Sequence, residues 1–127
     1  MVYIELVAAL AVLQFIFFTI MTGKARVDAG IEAPAMTGHE GFERMYRVQM
    51  NTLEVLVAFL PALLLASNYW SSMWVATLGG IYIVGRFIYW RSYIADPASR
   101  GLGFMLSMLP TLILIILAIV GAILAVM

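Results

Sequence analysis

Two apolar segments of the sequence each carry a row of polar residues at the spacing of one helix face. In the first row the intervals are three and four residues, and the members are Arg44, Arg47, Asn51 and Glu54. In the second row the spacing is similar, and the members are Tyr82, Arg86, Tyr89 and Tyr93. On helices these rows would span arcs of about 80° and about 60°. Cations and tyrosines that converge with an amide and a carboxylate indicate a site for an anionic ligand that carries its own amine.

Both rows also have structural interpretations, which the sequence leaves open. Ionisable groups inside a membrane are costly, so they either line a cavity or pair with one another. Glu54 and Arg86 would then neutralise each other and hold the helices together. The side chains of Arg44, Arg47 and Arg91 would instead extend along the apolar surface to the lipid headgroups.

A further arginine, Arg100, follows a signal for the start of a helix. Asp96-Pro97 is typical of an N-cap with proline at the first helical position, so the last helix is expected to begin there. Arg100 would then lie in the first turn, where unpaired backbone N–H groups make a positive helix end. A guanidinium at this place favours a thiolate and lowers the pKa of a thiol from about 8.5. Anchoring to a lipid headgroup is the structural alternative.

The composition predicts that membrane-spanning helices position these residues. Of 127 residues, 65% are hydrophobic and 11% are charged, which is too apolar for a soluble domain of this size. Four apolar segments each have about the length that a helix needs to cross a bilayer, and they cover roughly residues 2–22, 44–68, 73–94 and 97–126. The sequence therefore predicts an all-α fold, an up-down bundle of four transmembrane helices in a single domain over residues 1–127.

The residue inventory excludes several kinds of chemistry. Without cysteine there is no disulfide, no thiolate metal site and no cysteine nucleophile. The single histidine, His39, cannot form a multi-histidine metal site within one chain. The formal net charge of +0 gives no indication of a nucleic-acid partner, so neither a metal nor a nucleic acid is expected.

The positive charges predict the orientation in the membrane. Apart from Arg86, which lies within a span, they flank the first and third connections of the chain, as Lys24, Arg26, Arg44, Arg47, Arg91 and Arg100. Both termini and the middle connection carry no lysine or arginine. By the positive-inside rule, the charged connections and the candidate site face the cytoplasm, and both termini lie outside.

The two polar rows resemble the signatures of the MAPEG family, the membrane-associated proteins of eicosanoid and glutathione metabolism. Residues 43–54 match the family's E-R-x-x-R-x-x-x-N-x-x-E signature at every fixed position. Residues 86–93 are similar to its R-x-x-Y-x-x-x-Y pattern, which an arginine follows seven residues later, here Arg100. The resemblance extends over all four predicted spans.

In the glutathione-using members, this pattern implies a homotrimer with three glutathione sites between neighbouring subunits. Carried over, the residues that would hold glutathione are Arg26, Arg47, Gln49, Asn51, Glu54, Arg86, Tyr89 and Tyr93. Arg100 matches the arginine that stabilises the thiolate. Glutathione offers two carboxylates to Arg26, Arg47 and Arg86, and an ammonium group to Glu54.

The sequence departs from the leukotriene synthase branch of the family. That branch has a second arginine where Val27 follows Arg26, and several members have an aromatic residue where Val55 follows Glu54. The resemblance therefore implies a bacterial-type microsomal glutathione transferase of broad specificity, placed in a bacterial inner membrane. It would conjugate glutathione to hydrophobic electrophiles that arrive from the bilayer along the first and last helices, with reduction of lipid hydroperoxides as a side activity.

Two other functions are compatible with a four-helix membrane protein. One is a non-catalytic lipid-binding scaffold, as in the family's lipoxygenase-activating branch, but Arg100, Tyr89 and Tyr93 argue against it. The other is a small multidrug exporter that couples transport to protonation of Glu54. Arginines around the same cavity would repel the cationic drugs that such an exporter carries.

Overall fold

The protein is a bundle of four long helices that run up and down in chain order. The computed structural model describes all 127 residues, and the helices are α1 (Val2–Ala29), α2 (Glu40–Ala66), α3 (Ser72–Ala95) and α4 (Gly101–Val126). A short 3₁₀ turn, Pro97–Ser99, precedes α4. There are no strands, so the prediction of an all-α bundle is confirmed.

Three helical stretches are long and apolar enough to cross a membrane, namely α1, α2 and Pro97–Val126. The third helix, α3, is not among them, and it carries Arg86, Arg91 and three tyrosines. It nevertheless packs lengthwise inside the bundle. It runs parallel to α1, since Gln14 bonds to Ile83 and the amino terminus lies 3.4 Å from the Ser72 hydroxyl.

The first connection is shorter than the sequence predicted, because both flanking helices extend into it. The α1 helix continues seven residues past the apolar segment and ends before Gly30, whose φ of 69° is the left-handed conformation that favours glycine. The α2 helix begins at Glu40, where the His39 Nδ1 accepts the backbone N–H of Phe42 at 3.4 Å. Glu43 reaches back to accept the N–H of Gly38 at 3.0 Å. Only residues 30–39 therefore lie outside the helices.

The core lies between α2 and α3, with α1 and α4 packed on either side. Its centre is a parallel stack of the Phe59 and Tyr82 rings, whose centroids are 3.8 Å apart. Ile4, Leu63 and Leu114 are fully buried in the same cluster. Burial of a side chain of this size contributes about 1.5–3 kcal/mol in water, but in a bilayer the gain comes mainly from close packing.

Glycines bring α3 and α4 into backbone contact beside the tyrosines. A Cβ added to Gly85 would lie 2.7 Å from the carbonyl carbon of Leu106, and one added to Gly103 would overlap the backbone nitrogen of Tyr89. Small residues at helix crossings allow this close approach in membranes. The position of Tyr89 therefore depends on the absence of a side chain at residue 103.

We expect Gly103→Ala to lower the free energy of unfolding by about 1–3 kcal/mol, because the added methyl group must push α4 away from α3. Unfolding in mixed detergent micelles, titrated with sodium dodecyl sulfate, measures this. Gly80→Ala is the matched control, since a Cβ there meets nothing within 4 Å. Equal stability of the two variants would contradict the close contact.

Candidate functional site

A polar cavity of about 490 Å³ lies at one end of the bundle, where α2, α3 and the start of α4 meet. Its walls are Arg47, Asn51, Tyr89, Tyr93, Arg100 and Phe104. The structure thus brings together five of the residues that the sequence predicted, from three separate elements. Phe104 is a further wall residue that the sequence did not single out, because a phenylalanine in an apolar span gives no signal of its own.

The two tyrosines of the cavity form one wall. The rings of Tyr89 and Tyr93 lie 5.5 Å apart and nearly parallel, as expected for residues one turn apart on α3. Tyr89 is almost fully buried and Tyr93 is half-buried. Stacking fixes the planes of both rings, and the Tyr93 ring is the more exposed of the two.

Arg86 lies behind this wall and is completely buried. Its guanidinium donates to the Asn51 Oδ1 at 2.8 Å, the Thr52 hydroxyl at 2.9 Å and the Ser107 hydroxyl at 3.2 Å. It also lies 4.3 Å above the centre of the Tyr89 ring. Arg86 therefore does not line the cavity, but it orients two residues that do, Asn51 and Tyr89.

The arrangement differs from the structural alternative in which Glu54 neutralises Arg86. Glu54 instead faces outward and lies 3.8 Å from a guanidinium nitrogen of Arg47. The side chains of both residues are more than half exposed, at 60% and 53%. A carboxylate and a guanidinium are thus presented together on the outer face of a helix that crosses the membrane.

Two other predicted residues lie away from the cavity. Arg26, near the end of α1, donates to the Ala35 carbonyl at 2.7 Å and lies over the Phe42 ring, so its side chain is held between the first connection and the start of α2. Gln49 is half-buried on α2 and is not part of the cavity wall. The subunit by itself therefore does not bring Arg26 or Gln49 to the other predicted residues.

Arg44, which opens the first polar row, has a structural role. It donates to the carbonyls of Ile94 and Ala95 at 2.9 and 3.1 Å and pairs with Glu40. The last carbonyls of a helix have no partner within that helix, so an arginine at this place stabilises its end. Arg44 thus fastens the end of α3 to the start of α2, at the two residues that follow Tyr93.

Arg100 is the N-cap residue of α4 and stands at the mouth of the cavity. Asp96 accepts the N–H of Ala98 at 3.1 Å, as the Asp-Pro signal predicted, but it caps the 3₁₀ turn rather than α4. Arg100 is exposed, and the only hydrogen bond of its side chain runs to the Pro97 carbonyl at 3.1 Å. Most of its N–H groups are therefore free to bind an anion beside the positive end of α4.

The four-helix fold and this cluster of polar residues define a class of membrane protein. Comparisons with known proteins identify the same class. The chain belongs to the MAPEG family, whose model matches residues 4–120.

Named relatives extend over most of the chain. Human microsomal glutathione S-transferase 2 is 35% identical over 116 residues, which are 91% of this chain and 77% of that protein. The uncharacterized protein sll1147 of Synechocystis is 40% identical over 122 residues, covering 96% of this chain and 86% of its own. Bovine leukotriene C4 synthase is 31% identical over 94 residues, 74% of this chain and 63% of that enzyme.

We expect Arg86→Lys to lower the free energy of unfolding by about 1.5–3 kcal/mol, because an ammonium group cannot reach three acceptors on two helices as the guanidinium does. The measurement is the same detergent unfolding titration. Arg91→Lys, at an exposed position on the same helix, is the control and should leave stability unchanged. If both variants were as stable as the parent, the hydrogen bonds of Arg86 would not hold the bundle.

Proposed function

We propose that the protein is a membrane-bound glutathione transferase that conjugates glutathione to hydrophobic electrophiles and also reduces lipid hydroperoxides. The observation that carries the proposal is the shared cavity of Arg47, Asn51, Tyr89, Tyr93 and Arg100, with the guanidinium of Arg100 largely unpartnered. The family and the relatives named as glutathione transferases support a glutathione-using enzyme.

The charges suit a tripeptide that has two carboxylates, one amine and one thiol. Arg47 offers a guanidinium to a carboxylate, and the exposed Glu54 beside it offers a counter-charge to the amine. Asn51 and the two tyrosines supply neutral hydrogen bonds. Arg86 serves the site indirectly, through Asn51 and Tyr89, rather than by contact with glutathione.

Arg100 would act on the chemical step. Its charge and the positive end of α4 favour the thiolate over the thiol, which releases the thiol proton to water. The thiolate sulfur then attacks the electrophilic carbon, a sulfur–carbon bond forms, and the leaving group departs with the electron pair. Phe104 lies on α4 next to this place, where an apolar acceptor could arrive from the bilayer.

A homotrimer with α2 nearest the three-fold axis would complete the site. Arg47 and Glu54 are exposed on α2, and charged groups on an outer face within a membrane need a partner or a polar cavity. Arg26 and Gln49 lie outside the cavity of their own subunit, so in this assembly they would reach the cavity of a neighbour. We further propose a bacterial inner membrane as the location, with the site facing the cytoplasm and both termini outside.

Substitutions at Arg47 and Arg100 should affect different steps, glutathione binding for Arg47 and the chemical step for Arg100. We expect Arg47→Ala to weaken glutathione binding by about 1.5–3 kcal/mol, because a charge-assisted contact is lost. Arg100→Ala should instead lower turnover at least tenfold with a smaller effect on binding, since one lost electrostatic donor costs about 2.7–4 kcal/mol in the transition state. Calorimetric titration with glutathione and steady-state conjugation rates with a chloronitrobenzene measure the two effects.

Arg100→Lys is the control for this experiment, because it keeps the charge while losing the planar fork, and it should recover part of the turnover. Glutathione bound by the wild type should also show the ultraviolet absorbance of a thiolate, and Arg100→Ala should lose it. Normal turnover and thiolate absorbance in Arg100→Ala would contradict the role of this residue. Glutathione binding without any turnover in the wild type would favour the scaffold instead.

Sites built between neighbouring subunits predict that two kinds of inactive subunit can restore each other's activity. We expect Arg26→Ala and Arg100→Ala subunits to have low activity alone and to recover part of it when co-expressed, because a mixed trimer contains sites with both arginines. Native mass spectrometry gives the subunit count of the same samples. Trimers that show no recovery would mean that each site is built within one subunit, and monomers or dimers alone would refute the trimer.

A further inference from the structure

A second groove runs along the bundle between α1 and α3, on a different face of α3 from the candidate site. Its apolar part, which we call the trough, has a volume of about 590 Å³. The trough is lined by Leu13, Ile16 and Ile20 of α1 and by Ile83 and Phe87 of α3. The α1 residues along it, from Leu10 to Ile20, cover about 15 Å of helix. This is half of the roughly 30 Å hydrocarbon core, so the groove has the length of one lipid leaflet.

Next to the groove, toward the charged end of the bundle, lies a cavity of about 320 Å³. Lys24 and Asp28 of α1 and Arg91 of α3 are its charged residues, and Trp90 forms part of its wall. The Trp90 ring, which lines this cavity, packs against two residues of the groove lining, since its centroid is 5.5 Å from that of Phe17 and 6.4 Å from that of Phe87. The apolar trough and the charged cavity are therefore neighbours along the same side of the bundle.

The charges of this cavity favour an anion. Its lining has two cationic side chains and one carboxylate, which gives a formal net charge of +1. The indole N–H of Trp90 is buried and has no acceptor in the chain, so it provides one more donor. Gln14, the one polar residue of the trough lining, donates its amide N–H to the Ile83 carbonyl at 2.8 Å, and the rest of the lining is apolar.

We propose that this groove binds one anionic phospholipid per subunit, with the phosphate between Lys24 and Arg91 and an acyl chain along the trough. The length of the trough, the net positive charge at its end and the adjacency of the two spaces carry this inference. The site is independent of the proposed glutathione chemistry, because it shares no residue with the cavity of Arg47 and Arg100.

Native mass spectrometry of delipidated protein tests the proposal, with equal amounts of phosphatidylglycerol and phosphatidylcholine of the same acyl chains added in detergent. The wild type should retain one phosphatidylglycerol per subunit in preference to phosphatidylcholine. Lys24→Gln and Arg91→Gln should each weaken retention of phosphatidylglycerol about fivefold, as expected for one cation near an anionic headgroup. Leu13→Trp should weaken retention of both lipids, because the indole would fill the trough.

Two further variants test the direction of the charge effect on lipid retention and provide a control for a charge change elsewhere. Asp28→Asn removes the negative charge of the cavity, so it should retain phosphatidylglycerol more tightly than the wild type. Glu5→Gln, an equal change of charge at the opposite end of α1, should leave retention unchanged. These two exposed positions carry the test even where neutralised arginine or lysine variants fold poorly.

Several outcomes would overturn the proposal. One is equal retention of the two phospholipids by the wild type, and another is retention by the Lys24→Gln/Arg91→Gln double variant at the wild-type level. A change of the same sign in Asp28→Asn and Lys24→Gln would also do so. Displacement of phosphatidylglycerol by an equal concentration of oleate would assign the groove to a single-chain acid instead.

Discussion

The constraint on which the rest of the structure depends is the burial of the Arg86 charge inside a membrane bundle. Such a charge costs several kcal/mol unless polar groups surround it. Here the groups are neutral oxygens from two neighbouring helices, those of Asn51 and Thr52 on α2 and of Ser107 on α4. Because one guanidinium bonds to both helices, the positions of α2 and α4 along α3 are set together. The walls of the cavity follow from that arrangement.

Two other devices keep the cavity in shape. Gly85 and Gly103 let α4 approach the backbone of α3, which places Phe104 and Arg100 beside Tyr89. Arg44 fastens the end of α3 to α2 near Tyr93. The wall formed by Tyr89 and Tyr93 is therefore held in place by Arg86, by the two glycines and by Arg44. Arg47 and Glu54 instead remain on the outer face of α2. A site with one fixed wall and one open side suits the proposed completion by a neighbouring subunit.

The sequence predicted the helices and most of the cavity, because both leave periodic signals. Apolar length gave the four helices, and intervals of three and four placed Arg47 and Asn51, and Tyr89 and Tyr93, on common faces. The partners of Arg86 could not be predicted, since Thr52 and Ser107 are ordinary residues of apolar helices and only packing selects them. The extension of α1 to Ala29 was missed because hydropathy marks the membrane, not the end of a helix. Arg26 and Gln49 cannot be placed at the cavity from one subunit, so their predicted role depends on the assembly.

The neutral surroundings of Arg86 have a consequence for how the protein responds to its medium. A scaffold built on a buried carboxylate–arginine pair would lose its central contact whenever acid protonated the carboxylate. Amide and hydroxyl oxygens do not titrate in water at any physiological acidity, and a guanidinium that is already protonated takes up no further proton in acid. Acidification of the cell should thus leave the contacts inside the bundle unchanged. Any acid sensitivity would come from the surface of the protein and from its ligands.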